Sequence, residues 1–158
     1  MKARILIVED ESIVQLDLQR RLQRMGHSVV GMASKGEDAI AKAIELKPDL
    51  VIMDVRLEGS MDGLEAARRI QAEQRTPVVY VTAYASTIEQ ALTPDILGPC
   101  VSKPFRTTEL QSAIDRTLAG IGNNAHTLHE GESRTCCVGD DGLLRVKPMP
   151  VAQPAPPA

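Results

Sequence analysis

The chain has 158 residues, of which 43% are apolar and 25% charged, with a formal net charge of −3. These proportions describe one globular domain with at most a short appendage. They exclude a general electrostatic attraction to nucleic acid or anionic lipid, and no apolar run approaches the roughly 20 residues of a membrane span.

Met1-Lys2-Ala3 leads at once into the apolar run Arg4-Ile5-Leu6-Ile7-Val8. That opening does not read as a signal peptide, and a cytoplasmic location is expected. The three cysteines form no disulfide framework, which agrees. The run lacks polar alternation, the pattern of a strand buried on both faces of a parallel sheet. It ends in Glu9-Asp10-Glu11. Ser12 to Met25 then reads as a helix, with Val14, Leu18, Leu22 and Met25 at helical spacing and Gly26 as its C-terminal stop. Arg20, Arg21 and Arg24 are most simply its solvated face. Ser28 to Met32 is a short strand.

Ser34-Lys35-Gly36-Glu37 has the capping-box pattern, and the helix it opens turns Ile40, Ala43 and Ile44 inward before Pro48. Leu50-Val51-Ile52-Met53 is a third buried-strand run, ended by Asp54. Asp62-Gly63-Leu64-Glu65 opens another helix, with Leu64, Ala67 and Ile70 on one face. Pro77 to Val81 is a fourth strand that ends at Thr82. Ser86-Thr87-Ile88-Glu89 caps a helix cut short by Pro94. Cys100-Val101-Ser102 is a short fifth strand that ends at Lys103-Pro104. Leu110, Ala113, Ile114, Thr117 and Leu118 define a last amphipathic helix. Aromatic residues are confined to Tyr80, Tyr84 and Phe105, so aliphatic side chains must fill the core.

Five strand–helix units in alternation predict an α/β domain over 1–120, a doubly wound parallel five-stranded sheet with right-handed crossovers. From Gly120-Ile121-Gly122 onward no useful periodicity follows, and five of the last eleven residues are proline. Residues 121–158 are therefore expected to be a disordered Gly/Pro-rich tail, too short for an output domain. His126, His129, Cys136 and Cys137 carry a faint zinc flavour, but adjacent cysteines do not match ligand spacing.

In a parallel sheet the strand ends Glu9-Asp10, Asp54, Thr82 and Lys103 all reach one edge. Three clustered carboxylates repel one another unless a cation offsets their charge. Oxygen ligands with room for water suit Mg²⁺. A carboxylate can attack phosphorus to give an aspartyl phosphate, and Thr82 and Lys103 could contact the phosphoryl oxygens.

Residues 3 to 119 resemble the receiver domain of bacterial two-component response regulators. The likeness is carried by Ile-Leu-Ile-Val-Glu-Asp-Glu (5–11), Leu-Val-Ile-Met-Asp (50–54) with Asp62-Gly63-Leu64-Glu65, Val81-Thr82-Ala83 and Lys103-Pro104-Phe105. It implies a (βα)5 flavodoxin-like fold and a single-domain signalling protein rather than an enzyme, with slow autodephosphorylation. By resemblance, Asp54 is the phosphoacceptor. Glu9, Asp10, Asp54 and the Arg56 backbone carbonyl hold Mg²⁺, Thr82 and Lys103 contact the phosphoryl group, and Lys103–Pro104 is cis.

The implied partners are a sensor histidine kinase or a histidine phosphotransfer protein, and a downstream protein target. Direct DNA binding is not expected, since residues 1–120 hold 15 Lys/Arg against 17 Asp/Glu. No membrane contact is expected, and a homodimer through the fourth-helix face is compatible with the resemblance. Cys100 stands where the family usually has Tyr or Phe, and Pro94 interrupts the fourth helix. Both features keep open a phosphorylation-independent interaction module of the same fold. An aspartate-nucleophile phosphatase is disfavoured, because Val55-Arg56 follows Asp54 where such enzymes carry Asp-x-Asp.

Overall fold

A computed structural model describes residues 2–83, 98–123, 134–138 and 143–148. The elements are β1 (Arg4–Val8), α1 (Ser12–Arg24), β2 (Ser28–Ala33), α2 (Gly36–Leu46), β3 (Leu50–Asp54), α3 (Gly63–Gln74), β4 (Val78–Thr82), β5 (Cys100–Ser102) and α4 (Thr107–Asn123). Two further strands follow, β6 (Arg134–Val138) and β7 (Leu143–Pro148).

The first five strands pair in parallel in the order β2-β1-β3-β4-β5. This is the doubly wound, flavodoxin-like arrangement the strand–helix alternation predicts. Successive side chains of each strand point to opposite faces, so each apolar run feeds two cores. Leu6, Val8, Val51, Met53, Val78 and Tyr80 pack with Ala39, Ala43, Ala67 and Ile70 of α2 and α3. Ile5, Ile7, Ile52, Val79, Val81 and Val101 pack with Leu18, Leu22, Leu110 and Ile114 of α1 and α4. The chain reverses direction across the sheet between β1 and β3, and the C-terminal ends of those two neighbouring strands flank a crevice.

Local signals hold at most termini. Gly26 adopts φ +88° after α1, and Asp62 caps α3 by accepting from the Glu65 N–H at 2.8 Å. The capping box expected at Ser34 does not form. Lys35 is the N-cap residue of α2, and its ammonium has no acceptor with which to cap; Glu37 accepts from the Ser60 hydroxyl at 2.8 Å. Ile44, expected inward, is 46% exposed; the inward face of α2 is the small-residue row Gly36, Ala39 and Ala43.

Two expectations about the C-terminal region are corrected. The last helix runs through Gly120 to Asn123 rather than stopping at the glycine; a Cβ at Gly120 would meet nothing within 4 Å. Residues 134–138 and 143–148 are strands, not featureless tail. They pair antiparallel with each other, and β7 pairs with β5 through Cys100↔Leu144 and Val101↔Leu143. Thr135 and Val138 in β6 and Val146 in β7 favour strand, and Gly139-Asp140-Asp141-Gly142 between them has hairpin-turn composition. The helix expected from Ser86 to Pro94, together with His126 and His129, lies outside the described residues.

Candidate phosphoacceptor site at the sheet edge

β1 ends at Val8, and a three-residue connection carries Glu9 and Asp10 before α1 begins. Asp54 is the last residue of the neighbouring β3, paired in register with Val81 of β4. The parallel pairing therefore places residues 9, 10 and 54 at one edge. One carboxylate oxygen from each of Glu9, Asp10 and Asp54 lies within 4.8 Å of the others.

Lys103 sits across this cluster. Its Nζ donates to Glu9 Oε2 at 2.6 Å and to Asp54 Oδ2 at 2.9 Å. The loop that carries it follows β5, and the Lys103 N–H donates to the Thr82 carbonyl at 2.7 Å. The Lys103–Pro104 peptide is cis, as the resemblance implies. Thr82 is buried at the end of β4, in register with Ser102. Arg56 lies two residues beyond Asp54, and its N–H donates to Asp54 Oδ1 at 3.1 Å.

The electrostatics follow from burial. Glu9 is fully buried. Burial pushes its pKa up, the Lys103 hydrogen bond opposes the rise, and the nearby Asp54 charge adds to it; the result is about 7. For Lys103, burial alone would lower the pKa. Its bonds to Asp54 and Glu9 outweigh that effect and hold it above the ordinary lysine value. A single ammonium thus faces more negative charge than it can neutralise. The donor set is all carboxylate oxygen, and the excess charge fits a small hard divalent cation such as Mg²⁺.

Two neighbours escaped the sequence reading. The Gln15 side chain donates to the Glu9 and Ala33 carbonyls; nothing in a lone glutamine on a helix announces such a contact. Arg21 is not simply solvated. It pairs with Asp17 at 2.7 Å, donates to the Thr107 hydroxyl at 2.8 Å, and lies 5.5 Å from the centroid of the Phe105 ring. It thereby ties α1 to the segment that follows Lys103. Cys100 is a buried cysteine of β5, outside any disulfide. Cys136 and Cys137 lie in β6. Among the described residues no helix is long and apolar enough to cross a membrane.

A doubly wound sheet with acidic residues and a lysine at its topological switch point defines a signal-receiving domain of two-component systems. Residues 5–115 match the response regulator receiver domain, and the chain belongs to that family. It is 35% identical over 153 residues to the transcriptional regulatory protein PdtaR of Mycobacterium tuberculosis, covering 91% of this chain and 74% of that protein. It is 32% identical over 121 residues to the phyllosphere-induced regulator PhyR of Methylorubrum extorquens, covering 75% of this chain and 44% of that protein.

Among solved structures, the receiver domain of Erythrobacter litoralis PhyR superposes with a TM-score of 0.71 at 26% identity, over 81% of this chain and 97% of that one. The receiver domain of a Pseudomonas aeruginosa sensor histidine kinase, which holds a magnesium ion in its active site cleft, superposes with a TM-score of 0.67 at 29% identity. That match covers 75% of this chain and 99% of the other.

Proposed function

We propose that this receiver domain accepts a phosphoryl group on Asp54 from a phosphohistidine of a sensor histidine kinase or histidine phosphotransfer protein. The observation that carries the reading is the Glu9–Lys103–Asp54 bridge beside Asp10 at the switch point of the sheet. An Asp54 carboxylate oxygen attacks phosphorus, and the P–N bond of the phosphohistidine breaks. Its electron pair returns to the imidazole, which takes up a proton. Glu9, Asp10, Asp54 and the Arg56 backbone carbonyl would hold Mg²⁺. When bound, the ion supplies positive charge to the carboxylates and the phosphoryl oxygens. Lys103 transfers its pairing from Asp54 to a phosphoryl oxygen, and the Thr82 hydroxyl donates to another.

In this reading the output is a changed protein surface, and slow attack of water on the aspartyl phosphate resets it. Residues 1–120 form the receiver and 121–158 an appendage, working in the cytoplasm. The relatives are named as regulators, which agrees with a downstream target for that surface. Ile13 and Leu16, 83% and 49% exposed on the first turns of α1, offer apolar surface beside the acidic loop for a histidine-bearing helix.

Intact mass after incubation with a small acyl-phosphate donor tests the reading. The expected result is one labile, Mg²⁺-dependent phosphoryl adduct on the wild type and none on Asp54→Ala. A phosphorylation-independent interaction module is the second reading, favoured by Cys100 at the usual aromatic position. Equal partner affinity of wild type and Asp54→Ala under phosphorylating conditions would establish it instead.

A further inference from the structure

The connection between β1 and α1 is only Glu9-Asp10-Glu11, yet it delivers two of the three carboxylates of the site. Glu9 is tied at four points. Its N–H donates to the Ala33 carbonyl at 3.0 Å. Its Oε1 accepts from the Glu11 N–H at 3.2 Å, and its Oε2 accepts from Lys103. The fourth tie is the Gln15 side-chain nitrogen, which donates to the Glu9 carbonyl at 2.5 Å and to the Ala33 carbonyl at 3.1 Å.

Ala33 is the last residue of β2. Gln15 therefore staples the ends of two adjacent strands from the first turn of α1. A primary amide carries two N–H hydrogens on one nitrogen, and two carbonyls can take both. A carboxylate in its place would set acceptor against acceptor, and an aliphatic side chain would leave both carbonyls without this donor. The staple acts on the peptide that joins Glu9 to Asp10, so it sets where both side chains begin.

We propose that Gln15 is a positioning residue for a divalent cation: it holds the Glu9–Asp10 peptide so that both carboxylates converge with Asp54. The proposal rests on the cation-binding reading given above. Among the described residues, the side-chain hydrogen bonds of Gln15 run to these two carbonyls and not to Asp54 or Lys103. Its removal should weaken the ion's affinity and spare the chemistry at Asp54.

The test is calorimetric titration of the full chain with Mg²⁺, beside phosphorylation rates from an acyl-phosphate donor over a range of Mg²⁺. Wild type is compared with Gln15→Leu, which keeps the bulk without the donors, and Gln15→Ala, which adds none, so a folding failure in one variant leaves the other to decide. The expected result is a Mg²⁺ dissociation constant raised roughly tenfold, the low end for residues that orient metal ligands. The rate at saturating Mg²⁺ should stay within about twofold of wild type, since the ion then restores the site. A merely structural glutamine would lower the melting temperature and leave the Mg²⁺ affinity of the folded protein unchanged; that outcome overturns the proposal. A wild type that binds no Mg²⁺ would instead remove the cation reading, and this inference with it.

Discussion

Lys103 Nζ lies 2.9 Å from Asp54 Oδ2, although 49 positions separate the two residues. The same ammonium reaches Glu9 Oε2 at 2.6 Å, and the side chains of Glu9 and Asp54 are 1% and 9% exposed. The lysine is the internal counter-charge of the site. Removing one member of such a cluster leaves the others buried and unpaired, which costs more than an exposed ion pair contributes. Lys103→Met, which keeps the stem and loses the charge, is expected to lower stability by about 2 kcal/mol at pH 8 without divalent ions. The partial exposure of Lys103 keeps this below the cost for a fully buried pair. Urea denaturation measures it, and an unchanged midpoint would remove the counter-charge role.

His27 supplies a pH dependence of defined sign. It is buried, and its Nδ1 accepts from the Ala3 N–H at 3.3 Å. Burial pushes its pKa below the ordinary 6.5, with Asp115 opposing. Below pH 6.5 the unfolded chain takes up a proton that the folded chain resists. The stability His27 contributes is therefore full above that pH and is lost as pH falls through it. Glu9 runs the other way, because its raised pKa favours the folded state as pH falls from about 7. The comparison that isolates His27 is wild type against His27→Gln, since Glu9 is common to both. The stability of wild type relative to the variant should be constant above pH 7 and decline from pH 6.5 to 5.5. A constant difference across the whole range would overturn this assignment.

The Tyr80 hydroxyl is buried and has no hydrogen-bond partner among the described residues. The ring fills the core between β4 and α3, where a phenylalanine would fit as well. Burying a hydroxyl unsatisfied costs on the order of 1–3 kcal/mol, some of which relaxation recovers. Tyr80→Phe is accordingly expected to raise stability by about 1 kcal/mol, read as a higher urea midpoint with unchanged slope. A lower midpoint would show that the hydroxyl finds a partner in solution.

Gly63 touches the site through its backbone. A Cβ there would lie 1.9 Å from the Asp54 carbonyl oxygen and 3.0 Å from the Val55 Cα, both main-chain atoms with little freedom to move. The Gly63 N–H also donates to the Val55 carbonyl at 2.9 Å. Gly63→Ala must displace either the start of α3 or the Asp54 peptide. Overpacking of this kind costs about 1–3 kcal/mol, and acyl-phosphate labelling of Asp54 should slow at least tenfold in the folded variant. Labelling at the wild-type rate would mean that α3 moves and Asp54 does not.

The first five strands, their parallel pairing and the edge on which Glu9, Asp10, Asp54 and Lys103 meet were legible in the linear chain. The reason is physical. Strands buried on both faces seldom hold a charged residue in their interior, so the first carboxylate or ammonium after an apolar run marks where the strand leaves the core. Asp54 after Leu50–Met53 and Glu9 after Ile5–Val8 announce the edge in this way. Other features needed the tertiary structure. That Glu37 reaches Ser60 rather than back to Ser34 depended on a residue 23 positions away. Whether Arg21 was free depended on Phe105 and Thr107, more than eighty positions away. The staple made by Gln15 requires the ends of β1 and β2 to lie side by side, and the unpaired Tyr80 hydroxyl follows from what surrounds a ring in the core. Apolar periodicity is a local property written along the chain. Hydrogen-bond partners are set by which distant segments the hydrophobic core brings together, and only the folded packing decides them.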